Sequence, residues 1–231
     1  DPFAFQNELF SNLLGREVEI FKKTEPVMKI ENGQAEFLLS QGNPEDILYG
    51  YVDSWITELQ LFIDGTYRCN YATWLSEKVF SAGYGSQDHT VTLTNYTGTE
   101  QEIFPHFYFL DMDVFQEVIE ELKNKEMHTE IFEDGYVKGT YESGSEGYLL
   151  LSVPYDEGWS ASVNGEKVEI QRGANALSLI PVSAGINEIE LHYHVPGIKM
   201  GIVLSVIGVL LFVGMCQTEK YFCRPGRRKN G

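Results

Sequence analysis

A short run of aromatic and acidic residues, Tyr155-Asp156-Glu157-Gly158-Trp159, carries the side chains best suited to bind a sugar. An aromatic ring can stack on the apolar C–H face of a sugar, and a carboxylate can accept hydrogen bonds from its hydroxyl groups. We therefore interpret Tyr155, Asp156 and Trp159 as candidate glycan contacts. The alternative is a structural role, because a tryptophan that begins a sandwich strand usually packs in the core. The same two interpretations apply to Trp55, Tyr71 and Trp74.

Two other spacings are typical of metal sites. Asp111-Met112-Asp113 has the DxD spacing with which many nucleotide-sugar enzymes hold a divalent cation. It also stands where a helix should begin, so capping by one of the two carboxylates is the simpler interpretation. His192 and His194 alternate along one predicted strand and could bind zinc, but no third ligand accompanies them. The sequence therefore assigns no metal ligand and implies no cofactor.

Motifs of nucleophilic and phosphate-binding enzymes are missing from the sequence. It contains no GxSxG elbow, no P-loop and no HExxH zinc motif. No pair of carboxylates stands out as the acid and base of a glycosidase. We therefore predict no catalytic residue within this chain.

The elements that must position these residues are mostly strands. Short β-rich runs, the first over residues 17–21, recur between glycine turns, and Asp64-Gly65 and Asn164-Gly165 each predict a hairpin. Amphipathic patterns predict helices over residues 4–14 and 111–124. The sequence predicts a mainly β fold, an antiparallel β-sandwich or jelly-roll-like ectodomain with two amphipathic helices, followed by one transmembrane helix.

The transmembrane prediction depends on an uncharged run near the C-terminus. Residues 200–216 contain no charged side chain, and the 22 residues of 195–216 contain only Lys199. About 20 apolar residues are enough to cross a hydrocarbon core of about 30 Å. A buried core helix is the alternative, but such helices are rarely apolar on every face. Pro196-Gly197 interrupts the preceding strand and favours a helix that begins there.

Charge differs on the two sides of this run. Residues 217–231 contain five basic residues and one acid, a net charge of +4, whereas residues 1–216 contain 12 basic and 33 acidic residues, a net charge of −21. The positive-inside rule therefore predicts a cytoplasmic tail and an extracellular body. A chain with an overall charge of −17 is poorly suited to bind nucleic acid. Three cysteines are too few for a disulfide framework.

These patterns divide the chain into five predicted segments. They are an N-terminal helix with a first β-rich lobe (1–110), a connecting helix (111–125), a second β-rich lobe (126–195), a transmembrane helix (196–216) and a basic cytoplasmic tail (217–231). The chain begins at Asp1 without a methionine, and we expect it to be a piece of a longer protein.

Several stretches resemble one family of bacterial membrane proteins, the YfhO-like proteins. The resemblance is densest in LLLSVPYDEGWSASVNGEKVEI and YHVPGIKMGIVLSVIGVLL, and it extends to AFQNELFSNLLG and FYFLDMDVFQEVIEELKNK. It implies a GT-C type glycosyltransferase with a long multi-span N-terminal part, a β-rich extracellular domain and a last span. In that family an acidic catalytic residue is expected in an early external loop, which this sequence does not include.

The resemblance implies a function in the cell envelope. We expect the full-length protein to be a multi-pass protein of the bacterial cell membrane that transfers a glycosyl unit onto lipoteichoic acid. This part, with residues 1–195 extracellular, would act as an acceptor-positioning or accessory domain. Its expected partners are the lipid bilayer, the remaining transmembrane helices, and a cell-envelope glycan or lipid-linked sugar. The alternative is a non-catalytic, membrane-anchored β-sandwich module that binds carbohydrate or protein.

Overall fold

A computed structural model describes residues 1–31, 34–52, 59–71, 79–95 and 103–222. Within these residues the chain forms three helices, and antiparallel strands account for most of the remaining regular structure, as the sequence predicts. The helices are α1 (Pro2–Leu14), α2 (Met112–Lys123) and α3 (Ile198–Phe222). The chain divides into two compact units, Asp1–Glu126 and Met127–Gly231.

The first unit contains two antiparallel sheets that share one core. Its strands are β1 (Phe21–Thr24), β2 (Val27–Glu31), β3 (Gln34–Leu39), β4 (Ile47–Val52), β5 (Leu59–Ile63), β6 (Thr66–Tyr71), β7 (Val79–Tyr84), β8 (His89–Asn95) and β9 (Pro105–Leu110). The sheet orders are β1-β9-β4-β7 and β2-β3-β8-β5-β6. Leu48 and Phe107 of the first sheet pack with Leu61 and Val91 of the second. Because both sheets bury one face in the same core, the unit is sandwich-like.

Both amphipathic helices belong to the first unit. Asp111 is the N-cap of α2, one of the two caps that the sequence allows. The left-handed Gly15 (φ 68°) ends α1 after Leu14, where the predicted helix ends, and glycine is typical of this position. Val118 of α2 is buried with Val18, Ile20 and Leu110, and Phe10 of α1 packs against that cluster. The helices therefore cover one side of the first sheet.

The first strand begins later than the sequence predicts, at Phe21 instead of residue 17. Side chains of α1 bind the backbone of this segment: Asn7 Oδ1 accepts from the amides of Ile20 and Phe21, and Ser11 Oγ accepts from Val18. Side chains of α1 thus satisfy the amides of Val18 and Ile20 without a strand partner.

The second unit also contains two antiparallel sheets. Its strands are β10 (His128–Glu133), β11 (Tyr136–Ser143), β12 (Gly147–Pro154), β13 (Trp159–Val163), β14 (Glu166–Val168), β15 (Gln171–Gly173), β16 (Leu177–Val182) and β17 (Gly185–Tyr193). Their orders are β10-β11-β17-β13-β14 and β12-β16-β15. Leu149 and Ile180 of the smaller sheet share a core with Ile189 and Leu191 of the larger.

Two predicted hairpin turns are confirmed. Asp64-Gly65 joins β5 to β6, and Asn164-Gly165 joins β13 to β14. In both turns the two central residues have positive φ, between 51° and 78°. This geometry matches the right-handed twist of the flanking strands, and Asx-Gly pairs adopt it readily.

The C-terminal helix α3 follows β17 after a short link. Gly197 has a φ of 79°, and the helix begins at the next residue, Ile198. The span Ile198–Gln217 has a mean hydropathy of 2.4, and none of its residues is buried against the rest of the structure. By length and composition this helix can cross a membrane. Residues 223–231 lie outside the described part of the chain.

Candidate functional site

The turn between β12 and β13 carries all three candidate glycan contacts. The amide of Tyr155 donates to the carbonyl of Ala176 (2.8 Å), and the amide of Trp159 donates to the carbonyl of Asp156 (3.1 Å). The carboxylate of Asp156 accepts from the amide of Gly158 at 2.7 Å. These bonds fix the turn, with Asp156 exposed and with Tyr155 and Trp159 half-buried.

Two residues that the sequence did not nominate lie beside these three. Tyr193 pairs with Trp159 across β17 and β13, and the two rings lie 5.1 Å apart at 57°. The guanidinium of Arg172, on β15, lies 4.8 Å from the centre of the Tyr155 ring. We call Tyr155, Asp156, Trp159, Arg172 and Tyr193 the aromatic cluster.

Asp156 and Tyr193 also interact electrostatically. Partial burial raises the pKa of the Tyr193 phenol, and the nearby negative charge of Asp156 raises it further. The phenol, like any tyrosine hydroxyl at neutral pH, is protonated and can donate a hydrogen bond to Asp156. Asp156 is left as an exposed acceptor next to an aromatic donor.

Gly158 is required by the close packing of this turn. A Cβ atom there would lie 2.5 Å from Tyr193 Cε2, 2.6 Å from the carbonyl oxygen of His194 and 2.9 Å from Asp156 Oδ1. No side chain fits at those distances without moving the turn or the end of β17. Gly158 thus lets the two strands approach and brings Tyr193 to Trp159.

The aromatic cluster has the chemistry of a carbohydrate site. It offers aromatic ring surface, a guanidinium with several N–H donors and a carboxylate acceptor. The indole of Trp159 also packs against the core of the second unit, so this side chain has a structural contact in addition to its half-exposed surface. The cluster therefore offers groups that suit a polar ligand, with Asp156 and Arg172 as its exposed members.

Asp111, the first residue of the DxD string, has structural contacts. Asp111 Oδ1 accepts from the amide of Val114 (3.0 Å) as the N-cap of α2, and Asp111 Oδ2 lies 2.6 Å from Lys22 Nζ. Burial alone would raise the pKa of Asp111, but the hydrogen bonds from Lys22 and Val114 outweigh burial and hold this pKa below its usual value. The capping interpretation of Asp111 is confirmed.

The remaining candidates of the sequence are dispersed. His192 stacks on Tyr136 with ring centres 4.6 Å apart, and His194 is exposed beyond the end of β17. In the described part of the chain, no three His, Cys, Asp or Glu side chains form a group that could hold a metal ion. Tyr71 is a core residue, only 2% exposed. Trp55 and Trp74 lie outside the described residues.

The sequence did not reveal Arg172 and Tyr193 as part of this site. Tyr193 shares one face of its predicted strand with Ile189 and Leu191, so the pattern indicates only that this face is buried. Arg172 occupies an unremarkable polar segment. A second signal exists for Tyr193 alone, because it lies shortly before the predicted span. Neither signal shows that these residues meet Tyr155 and Trp159.

Comparison with known proteins identifies a family. The family model described as "Bacterial membrane protein YfhO" matches residues 5–205. A protein of Bacillus subtilis (strain 168) described as "Uncharacterized protein YfhO" is 30% identical over 81 residues, which are 35% of this chain and 9% of that protein. The match therefore covers a small part of that relative's length.

Two solved structures show distant likeness. A conserved protein of unknown function, PA5104 from Pseudomonas aeruginosa PAO1, is 13% identical, with 75% of this chain and 88% of that chain covered and a TM-score of 0.22. The CUB1-EGF-CUB2 domain of human MASP-1/3 is 11% identical, with 75% and 94% covered and a TM-score of 0.24. At these scores neither likeness carries an argument about function.

Proposed function

This chain belongs to the bacterial membrane protein YfhO family, and we propose that the protein containing it transfers a glycosyl unit onto a cell-envelope polymer, lipoteichoic acid. The family match covers most of the chain, and α3 is long and apolar enough to cross a membrane. A GT-C type transferase would use a lipid-linked sugar and perform the chemistry in parts of the protein outside this sequence.

The proposed role of this chain is to position the acceptor. The observation that supports this role is the aromatic cluster, in which Tyr155 of the β12–β13 turn contacts the guanidinium of Arg172 on β15, and Trp159 contacts the ring of Tyr193 on β17. A polyol or sugar chain can be bound by such groups through stacking and hydrogen bonds. The cluster contributes no nucleophile in this proposal and acts by binding alone.

The acidic body is proposed to face outward. The net charges of −21 before residue 217 and +4 after residue 216 lie on opposite sides of the span. Basic residues close to a span are retained in the cytoplasm, so β17 and the aromatic cluster would face the cell envelope. This orientation places the cluster on the side where lipoteichoic acid lies.

The test compares two tyrosines in the full-length protein, expressed in a strain that lacks it. Tyr155→Ala removes a ring of the aromatic cluster, whereas Tyr148→Ala removes a 56% exposed ring near the other end of β12. Loss of one stacking contact weakens binding by roughly two- to tenfold. We expect Tyr155→Ala to lower the glycosylated fraction of lipoteichoic acid, measured by NMR of the extracted polymer, and Tyr148→Ala to leave it unchanged.

Trp159 is less suitable for this test. Its indole packs against the core of the second unit, so Trp159→Ala is expected to destabilise the domain as well as to remove ring surface. Asp156→Asn is the better second variant because an asparagine oxygen can still accept from Gly158. It should lower glycosylation if the charge of Asp156 contacts the acceptor.

The outcomes separate the two candidate functions. Normal glycosylation by Tyr155→Ala and Asp156→Asn, at normal membrane levels, would contradict the positioning role. Two results together would favour the non-catalytic binding module. Deletion of the protein would change no cell-envelope glycan, and the purified wild-type protein would bind unglycosylated lipoteichoic acid.

A further inference from the structure

The last strand of the second unit ends close to the membrane. Strand β17 ends at Tyr193 and the span begins at Ile198, so four residues separate them. The five Cα–Cα steps from Tyr193 to Ile198 span at most about 18 Å, and the link is shorter because the amide of Ile198 donates to the carbonyl of Val195. The polar headgroup region is about 5–8 Å thick on each side of the hydrocarbon core. The end of β17 therefore lies at the bilayer surface.

Two turns are bound to this end of β17. The amide of Tyr193 donates to the carbonyl of Gly135, in the turn between β10 and β11, at 2.8 Å. The amide of His194 donates to the carbonyl of Gly158, in the turn between β12 and β13, also at 2.8 Å. These bonds keep both turns at the same end of the sheet as the start of the span.

The residues around these turns are aromatic and apolar. Phe132 is the second-last residue of β10, just before the β10–β11 turn, and is 78% exposed. Val195 in the link is 55% exposed. Tyr136, Trp159 and Tyr193 are half-buried nearby. Tryptophan and tyrosine are enriched where membrane proteins meet the headgroups, because their rings are apolar at one end and polar at the other. We call these five residues the membrane-proximal edge.

Acidic residues at the turns limit how deeply this edge can enter. Glu133, Asp134 and Glu157 are exposed beside the aromatic residues. A charged carboxylate is costly in the hydrocarbon core but is tolerated among headgroups. The arrangement favours contact with the interface and opposes insertion of the turns into the hydrocarbon.

We propose that the membrane-proximal edge rests in the headgroup region of the lipid bilayer, with the ring of Phe132 inserted between lipids. The edge is continuous with the membrane span, and this continuity identifies the lipid surface as its occupant. This contact with lipid adds to the covalent link between β17 and α3 and restrains the sheets of the second unit relative to α3. Trp159 and Tyr193 belong to both the membrane-proximal edge and the aromatic cluster. Phe132 lies outside the aromatic cluster, so a lipid contact tested at Phe132 does not depend on glycan binding.

Ile186 provides a matched control on the same sheet. It is 70% exposed but lies near the start of β17, where it pairs with Glu142 of β11. Phe132 of β10 pairs with Val137 of β11, and Val137 pairs in turn with Leu191 near the end of β17. Five strand residues separate these two levels, which corresponds to roughly 17 Å. Ile186 is therefore an exposed apolar residue that should remain in water.

The test uses the whole chain in phosphatidylcholine nanodiscs. Phe132→Cys and Ile186→Cys are made separately in a background with Cys69, Cys216 and Cys223 changed to serine, and each new thiol is labelled with an environment-sensitive fluorophore. We expect headgroup spin-labelled lipid to quench the fluorophore at position 132 several-fold more strongly than at position 186. Aqueous iodide should show the opposite preference.

Two results would overturn the proposal. Equal and strong iodide quenching at both positions would show that residue 132 is in water. A fluorophore at position 132 that is shielded from both quenchers would show that protein, and not lipid, covers this edge.

Discussion

Asp111 illustrates how one side chain can connect several parts of the first unit. It caps α2 through Val114 and forms an ion pair with Lys22 of β1. Its own amide donates to the carbonyl of Ile20 at 2.9 Å. A residue in a DxD string thus serves as a structural joint between a helix and a strand, which accounts for its type without a metal.

Replacement of Asp111 separates its cap from its charge. Asp111→Ala removes both and is expected to destabilise the chain by about 0.5–2 kcal/mol, measured by denaturant unfolding in detergent. Asp111→Asn keeps an N-cap acceptor and should cost less. Because the folded pKa of Asp111 is lowered, its stabilising effect is present above the usual aspartate pKa and disappears as the pH falls through the lowered value. Asp111→Asn should therefore weaken the loss of stability on acidification; an unchanged acid dependence would contradict this account.

Tyr71 determines a second pH dependence, at the alkaline end. It is buried in the first core, and its hydroxyl accepts from the amide of Val52 at 3.0 Å. Burial raises its pKa from 10.0 to about 12. A phenol with a raised pKa is neutral in the folded state, so its contribution is complete below pH 10 and is lost as the pH rises toward about 12.

Tyr71→Phe tests this role. The variant keeps the ring but leaves the buried amide of Val52 without this acceptor, and we expect a cost of about 1–3 kcal/mol at neutral pH. Stability should also become less sensitive to pH between 10 and about 12. Tyr67→Phe is the control, because Tyr67 is 49% exposed. An identical alkaline unfolding curve for wild type and Tyr71→Phe would show that other groups cause the transition.

At the scale of elements, the close approach of the β12–β13 turn to β17 assembles the aromatic cluster. The approach depends on Gly158, where a Cβ would overlap the end of β17. The link from His194 to Gly197 then leads directly into α3. Gly158 thus permits the close approach of the β12–β13 turn to the end of β17, from which the link to α3 continues.

Gly158→Ala is expected to disturb this junction. The added methyl group must displace the Tyr193 ring, the Asp156 carboxylate or the β17 backbone, and we expect a destabilisation of about 1–3 kcal/mol from overpacking. Near-ultraviolet circular dichroism should change because the rings of Trp159 and Tyr193 move apart. Gly144→Ala is the control, since a Cβ there has no neighbour within 4 Å. Equal unfolding midpoints for the two variants would refute the packing requirement.

At the scale of the whole molecule, charge and hydropathy are divided along the chain. An acidic body precedes an apolar span of 20 residues, and a basic segment follows it. We propose that the basic end lies in the cytoplasm, because translocation of basic residues next to a span is disfavoured. The proposed orientation is therefore a property of the entire sequence and not of any single site.

Cysteine labelling tests the orientation with residues already present. Cys69 is exposed on β6, whereas Cys223 follows the span in the basic segment. On intact cells, a membrane-impermeant maleimide should label Cys69 and should reach Cys223 only after permeabilisation, as measured on single-cysteine forms of the full-length protein. Labelling of Cys223 without permeabilisation would reverse the topology.

The sequence alone determined the features that depend on neighbouring residues. The apolar run predicts the span, Asx-Gly pairs predict two hairpins, and Asp111 and Gly15 predict the ends of helices. The alternation in β17 correctly predicts that Ile189 and Leu191 are buried while Glu188 is exposed. These signals can be recognised in the sequence because a helix cap, a tight turn or a strand face involves only a few consecutive residues.

The tertiary structure alone decided which distant residues meet. Alternation shows that a strand has a buried face but does not identify its partner, so the pairing of Trp159 with Tyr193 and the approach of Arg172 to Tyr155 could not be predicted. For the same reason the late start of β1 was missed, because its amides bind side chains of α1. Contacts between distant segments depend on how sheets share a core, and that arrangement is a property of the folded chain as a whole.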